Sequence, residues 1–294
     1  MSLMTAGRHE VHGLAEPGRC GVRSGTAAPF LSVITVTLND GPGLRRTWES
    51  LIRQSWTDFD WLVIDGGSQD GTLGFLSGIT HPSLRWVSEP DHGIYDAMNK
   101  GTSMAHGRYL LYLNAGDDLV DADSLATVHQ KIGDCGEPEL LYGGANYRFA
   151  DESIWYRAPR PIEKAIRHSV PGVHQATFFM RRVLDEPAYD LTYGISGDYF
   201  ISARCYLKGA RAGYLDRAIC NFYIGGISTK RANRSLLECW RIQRDVLRMG
   251  RVARLQSAVR RFIAHRLIFG RHRFPRLGQF IDFLPRISRK FLDR

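Results

Sequence analysis

Tyr109-Leu110-Leu111-Tyr112-Leu113-Asn114-Ala115-Gly116-Asp117-Asp118 is the stretch on which the fold turns: an apolar run of strand length that stops at two adjacent carboxylates. Before it come a loop, Ser88-Glu89-Pro90-Asp91-His92-Gly93, and a short helical segment, Ile94-Tyr95-Asp96-Ala97-Met98-Asn99-Lys100-Gly101. Adjacent carboxylates at the end of a buried strand repel each other and lose solvation, so they are costly unless something positive sits beside them. A divalent cation shared with an anionic ligand meets that need. The carboxyl edge of an open α/β sheet is where such ligands bind, a nucleotide diphosphate among them. The competing reading is that Asp117 and Asp118 simply cap the next helix.

Working upstream, Phe30 to Leu38 is a β-branched run that ends at Asn39-Asp40-Gly41-Pro42, a capping side chain followed by Pro in a first helical turn. Leu44, Trp48, Leu51 and Ile52 then recur at helical spacing. A second run, Trp61-Leu62-Val63-Ile64, ends at Asp65-Gly66-Gly67-Ser68-Gln69-Asp70-Gly71-Thr72, and Leu84-Arg85-Trp86-Val87 reads as a third strand. Strands and helices alternating at this pitch predict an α/β fold with a parallel sheet and right-handed crossovers. Three strand ends, at Asn39, Asp65 and Asp117-Asp118, then fall on one edge of one sheet. That edge is the expected site.

In this order, Thr37-Leu38-Asn39, the Val63 to Thr72 stretch, the Gly93 to Gly101 stretch and Leu113 to Asp118 resemble glycosyltransferase family 2 over roughly residues 30–230. The resemblance is to bacterial enzymes that build exopolysaccharide or glycolipid glycans. It implies a GT-A-type, Rossmann-like, mostly parallel sheet flanked by helices, and inverting transfer from a nucleotide-diphosphate sugar. It assigns Asp65 to the donor's base, with backbone near Thr37 and Asn39 bordering the same ring; an acceptor-only carboxylate suits the N–H of uracil or thymine. UDP or dTDP is thereby preferred, with GDP possible. Asp96, Asn99 and Lys100 join the donor set. Asp118 resembles the metal-binding member of the family's Asp-x-Asp signature, with Asp117 beside it. The first signature Asp is replaced, Ala115 standing in its place beside Asn114, so weak or water-rich coordination of Mg²⁺ or Mn²⁺ is expected. The bland reading of Asp65 is a turn residue before Gly66-Gly67.

Downstream, Thr192-Tyr193-Gly194-Ile195-Ser196-Gly197-Asp198-Tyr199-Phe200 introduces a helix that ends at Gly209. Asp198 falls in its first turn, where the helix dipole favours the ionised form, and it resembles the family's catalytic base. An acceptor hydroxyl needs such a base. Ser196 or Asp198 acting only as a helix cap is the alternative. His174-Gln175 leads into a buried strand and resembles a pair that faces the acceptor, although a lone His is often structural. Phe222 to Ser228, with Gly225-Gly226, reads either as a loop able to close over a diphosphate or as an ordinary surface loop.

Five Cys (20, 135, 205, 220 and 239) are scattered without metal-ligand spacing, which fits thiols in a reducing cytosol. Residues 1–29 are expected to be disordered, and no apolar run reaches membrane-spanning length. The chain carries +9 overall, yet residues 241–294 alone hold 15 Arg or Lys against three acidic residues, a net of +12, leaving −3 for the rest. Val252, Leu255, Val259, Phe262 and Ile263 recur at helical spacing there, with Arg254, Arg260, Arg261 and Arg266 interleaved; Leu277, Phe280, Ile281, Leu284, Ile287 and Phe291 repeat the character. Residues 231–294 are thus expected to form a basic amphipathic helical tail, peripheral on the inner face of the plasma membrane and meeting anionic lipid and a lipid-linked or glycolipid acceptor. A solvated face over the catalytic domain, or a subunit interface, is the alternative. Nucleic acid is not an expected partner, since no binding motif is visible and the core is not basic. Two other functions remain open: a nucleotidyltransferase that makes a nucleotide sugar, and a non-catalytic nucleotide-sugar-binding or assembly protein. No G-x-G-x-x-G follows the first strand, which disfavours NAD-dependent chemistry.

Overall fold

A computed structural model of the chain describes residues 28–225 and 232–270, with backbone alone for 232 and 265–270. One mixed sheet runs through the molecule. Its parallel half comprises β1 (Leu31–Thr37), β2 (Phe59–Asp65), β3 (Leu84–Ser88) and β4 (Tyr109–Tyr112), in the order β3-β2-β1-β4. Helices α1 (Gly41–Ile52), α2 (Thr72–Gly78) and α3 (Ile94–Met104) connect them. These are the strands and helices that the apolar runs predict. All seven residues of β1 and of β2 are buried, because helices cover both faces. Asp40 starts α1 as expected, its carboxylate accepting from Gly43 N at 3.0 Å with Pro42 in the first turn.

From β3 the chain crosses over β2 and β1 to place β4 on the far side of β1. The direction of winding therefore reverses between β1 and β4, and ligands of open α/β sheets bind at such a reversal. Beyond β4 the sheet continues with β8 (Thr177–Met180), β6 (Leu140–Arg148), β9 (Ala212–Tyr223) and the short β5 (Asp118–Leu119). β8 runs antiparallel to both β4 and β6, β9 is parallel to β6, and β7 (Ile154–Arg157) pairs with β6.

Asp118 thus lies in a strand, paired antiparallel with Asn221 of β9, rather than at a helix start. The next helix, α4 (Ser124–Asp134), begins six positions later, behind Asp123. The capping reading of the two carboxylates is overturned by that geometry.

Two apolar layers sandwich the sheet. Leu44, Leu51, Leu76, Leu125 and Val128, from α1, α2 and α4, pack with Val33 and Trp61 on one face. The other face buries Ile34, Leu62, Tyr95 and Met98 together with Tyr199 of α6 (Gly197–Leu207) and with Cys239 and Ile242 of α7 (Ala232–Asp245). A short α5 (Ile162–Ala165) joins this second layer through Ile162. The core therefore runs past residue 230, where the sequence places the start of a separate tail. α7 and a last helix, α8 (Arg251–Gly270), do form within that tail. Residues 1–27, the 226–231 part of the Gly-rich turn and the second apolar stripe beyond 270 lie outside the described residues. Among the described residues no helix is long and apolar enough to cross a membrane, and Cys135, Cys205, Cys220 and Cys239 are free thiols.

Candidate active site

Three loops meet over the reversal between β1 and β4. The loop after β1 is tied to the loop after β2. Asn39, at a left-handed φ of 52°, accepts from Gln69 N through Oδ1 at 2.8 Å and donates its own N–H to Ser68 Oγ at 2.7 Å. Asp70 accepts from Gly41 N at 3.0 Å and from Thr72 Oγ1 at 2.5 Å. Its carboxyl lies below the usual range because the charged form gathers these donors.

Asp65, at the end of β2, is fully buried and takes four bonds: from Gly67 N and Ser68 N at 3.1 and 2.9 Å, and from the hydroxyls of Ser68 and Ser88 at 2.5 and 2.6 Å. The turn role is therefore realised, and Asp65 organises the wall on which a base would rest. Thr37, at the end of β1, has a buried Oγ1 that no protein group answers.

Asp117 and Asp118 are 6 % and 8 % exposed. Gln175 donates to Asp117 Oδ2 at 3.0 Å and Tyr223 N to its Oδ1 at 3.2 Å. Asn221 Nδ2 and Tyr223 OH donate to the two oxygens of Asp118 at 2.5 and 3.0 Å. Burial pushes the Asp117 carboxyl up to about 7, with the Asp118 charge adding to the rise. The buried Oδ1 of Asn114, three residues before Asp117, has no partner. Arg46 of α1 donates to Gly116 O at 3.1 Å and lies over the Tyr223 ring at 4.4 Å, so a fixed cation borders the pair.

These donors are all oxygens, the set that Mg²⁺ and Mn²⁺ take. Among the described residues no group of three His, Cys, Asp or Glu could hold a metal ion, so the two carboxylates would need further oxygens, for which the unanswered Asn114 Oδ1 three residues upstream is a candidate. Gln175, Asn221 and Tyr223 aim the carboxylates.

Asp198 stands at the start of α6. Its Oδ1 accepts from Tyr199 N at 2.8 Å, and Ser196 makes no side-chain cap. Burial raises its carboxyl above the ordinary range, an effect that the Tyr199 N–H and the nearby Arg261 and Arg157 charges oppose. The preceding turn is held from two sides. Glu238 of α7 accepts from Ile195 N and Ser196 N at 2.8 and 2.9 Å, and Tyr95 OH donates to Ile195 O at 2.9 Å. A side chain at Gly197 would meet the Tyr95 ring at 2.7 Å, so the helix start must be glycine to seat there.

Aromatic rings join the two acidic centres. Tyr95 stacks on Tyr189 (5.0 Å), whose hydroxyl shares a 2.8 Å bond with His174 Nε2, and His174 stacks on Tyr112 (5.0 Å). His174 is therefore a buried wall residue, its basicity pushed down to about 3 by burial, and it stays neutral. A buried, neutral His174 would meet an acceptor through the ring wall it forms with Tyr189 and Tyr112 rather than as a charged group. Its neighbour Gln175 serves Asp117.

Three donor candidates of α3 also have partners within the protein. Asn99 makes a two-way amide pair with the backbone of Tyr189, at 2.9 Å each way. Asp96 accepts from His92 N at 2.9 Å, and Lys100 bridges Glu89 (2.9 Å) and Pro90 O (2.9 Å). They shape the loop over the site. Sequence reasoning missed Arg46, Asn221, Tyr223 and Glu238. Only the Arg46 position, one turn into a helix that follows the first strand, carries a local signal.

A Rossmann-like parallel half extended by a mixed half, with paired carboxylates after β4, is an arrangement of the GT-A type. Solved structures of that type share the fold. A mannosyltransferase from Pyrobaculum calidifontis, in complex with GDP-Man and Mn²⁺, aligns over 84% of this chain and 78% of its own with a TM-score of 0.60 at 17% identity. TarS 1-349 of S. aureus in complex with UDP aligns over 82% and 73% with a TM-score of 0.57 at 16% identity. Residues 32–192 match the model of Glycosyl transferase family 2, and the chain belongs to that family. An uncharacterized glycosyltransferase of Mycobacterium tuberculosis is 32% identical over 252 residues, 84% of this chain and 92% of that protein. A PGL/p-HBAD biosynthesis glycosyltransferase of Mycobacterium bovis is 32% identical over 219 residues, 72% and 84%. The protein is a glycosyltransferase.

Proposed function

We propose that this glycosyltransferase moves a sugar from a nucleoside diphosphate donor, UDP- or dTDP-linked before GDP-linked, to a hydroxyl of a lipid-linked glycan or glycolipid, with inversion at the anomeric carbon. The carrying observation is the buried Asp117-Asp118 pair after β4, which the buried and unanswered Asn114 Oδ1 precedes by three residues in the chain. Relatives named for PGL/p-HBAD biosynthesis and neighbours solved with UDP, with UDP-GlcNAc or with GDP-Man and Mn²⁺ support the donor and acceptor classes.

Asp117, Asp118 and Asn114 would hold Mg²⁺ or Mn²⁺, which neutralises the leaving diphosphate when bound. Arg46 adds a fixed positive charge on the same side. The nucleoside rests against the backbone of Thr37 to Asn39 and of Gly66 to Ser68, which Asp65 holds rigid through its four bonds. Asp198 takes the acceptor's hydroxyl proton as that oxygen bonds to the anomeric carbon, while the bond from that carbon to the diphosphate oxygen breaks on the opposite face. A single displacement of this kind inverts the centre. The raised Asp198 carboxyl suits it to hold a proton and then release it.

The reaction is tested by supplying UDP-, dTDP- and GDP-sugars with Mn²⁺ and a glycolipid acceptor, then identifying what is released. Nucleoside diphosphate is expected. Pyrophosphate would instead identify a nucleotidyltransferase, and release of neither would leave a non-catalytic binding protein.

A further inference from the structure

Helix α8 is seated with its polar side inward. Arg254 is 8 % exposed and lies over the Trp240 ring at 4.6 Å, Ser257 is fully buried and accepts from Gln243 Nε2 at 2.7 Å, and Arg261 donates to His168 O and covers the Tyr199 ring at 4.9 Å. The apolar stripe points the other way. Val252, Leu255, Val259, Phe262 and Ile263 are 72, 60, 50, 53 and 50 % exposed. Ser257 and Arg261 find hydrogen-bond partners there, while Arg254 lies on the Trp240 ring with its buried Nε left without a hydrogen bond. Leaving five large apolar side chains in one row on the surface is not what a water-facing helix does, and such rows mark contact sites.

Charge decides among occupants. α8 contains no Asp or Glu, and the exposed Arg251 and Arg260 flank the stripe. A second copy docked stripe to stripe would bring these cations face to face. Residues 271–294 carry seven basic and two acidic residues, so they too would meet like charge. An anionic lipid interface offers an apolar layer for the stripe and negative headgroups for the arginines.

We infer that the outward face of α8, from Val252 to Ile263, is the surface with which this enzyme lies on an anionic bilayer. The opposite face of the same helix contacts Tyr199, the neighbour of Asp198, so the docked surface and the proposed base are one helix apart. What the surface delivers rests on the glycosyl-transfer reading; the docking itself does not.

The test is sedimentation of the full chain with vesicles of phosphatidylcholine and phosphatidylglycerol, against phosphatidylcholine alone. The wild-type protein should sediment with the anionic vesicles and release as salt rises. A variant carrying Val252→Ser, Leu255→Ser and Val259→Ser should bind them at least ~100-fold more weakly, with an unchanged melting temperature because these side chains are exposed. Arg251→Gln with Arg260→Gln should weaken anionic binding and flatten its salt dependence. Equal sedimentation of the triple variant and wild type would overturn the inference, as would wild-type protein that ignores anionic vesicles. A wild-type dimer that the triple variant dissociates, without vesicle binding, would assign the stripe to a second copy and also overturn it. Vesicle binding that persists in a protein with no response to any nucleotide sugar would support the docking surface while removing the glycosyl-transfer reading.

Discussion

Asp198 and His174 show how burial assigns different work to two titratable side chains. Asp198 sits at a helix start with its carboxyl raised, and Asn in its place keeps the shape and the Tyr199 N–H contact. Asp198→Asn should therefore cut turnover by at least ~100-fold while donor affinity, measured by calorimetry, stays level. An Asn variant that remains nearly active would move the base elsewhere. His174 is held neutral down to about 3 against an ordinary 6.5, so in that window the unfolded chain binds the proton and the folded chain does not. Its contribution is complete above about 6.5 and is lost as pH falls toward about 3, at up to ~1.4 kcal/mol per pH unit. Urea unfolding across that range should give a shallower pH dependence for His174→Gln than for wild type; parallel curves would refute the buried, neutral assignment. The acidic residues were legible in sequence because each marks a local event, a strand end or a helix start. Asn221, Tyr223 and Glu238 were not, because their partners lie about forty to a hundred positions away and only sheet register and helix packing bring them together.

At the scale of elements, α3 lies unusually close to the sheet. A methyl group at Gly101 would stand 2.5 Å from Ile34 Cγ2 in β1. Gly→Ala on an exposed helix gains up to ~1 kcal/mol of propensity, whereas overpacking a core costs ~1–3 kcal/mol. The clash should win, so Gly101→Ala is expected to lower the urea midpoint; a raised midpoint would show that β1 yields at no cost. The β9 strand has a different role, presenting Asn221 and Tyr223 to Asp118. Asn221→Ala should weaken Mn²⁺ binding, read by calorimetry, by ~10–100-fold without unfolding the chain. The parallel half of the sheet was readable because strands buried on both faces are continuous apolar runs. The mixed half was largely not: β9 carries Asp216 and Arg217 on exposed positions, and β6 shifts register at Gly143-Gly144, so neither keeps a clean two-residue period.

For the molecule as a whole, the basic C-terminal segment divides in two. α7 belongs to the catalytic core through Glu238, Cys239 and Ile242, whereas α8 lies outside it and turns its apolar stripe to the surface. A chain ending at residue 230 should lose cooperative unfolding, since it strips Ile242 from the core and two N–H partners from the Asp198 turn. One ending at residue 250 should still unfold cooperatively; equal stability of the two would contradict the assignment of α7. A single tail hides this division because both helices are amphipathic and Arg-bearing in sequence, and only their packing separates them.

A cation-dependent donor site at Asp117 and Asp118 is read out by thermal unfolding with UDP, dTDP and GDP, each with and without Mn²⁺, in wild-type and Asp118→Ala proteins. A nucleoside diphosphate should raise the wild-type melting temperature only with Mn²⁺, and Asp118→Ala should fold but show no Mn²⁺-dependent rise. An equal rise in EDTA, or an undiminished Mn²⁺-dependent rise in the Asp118→Ala protein, would contradict a cation-dependent site there.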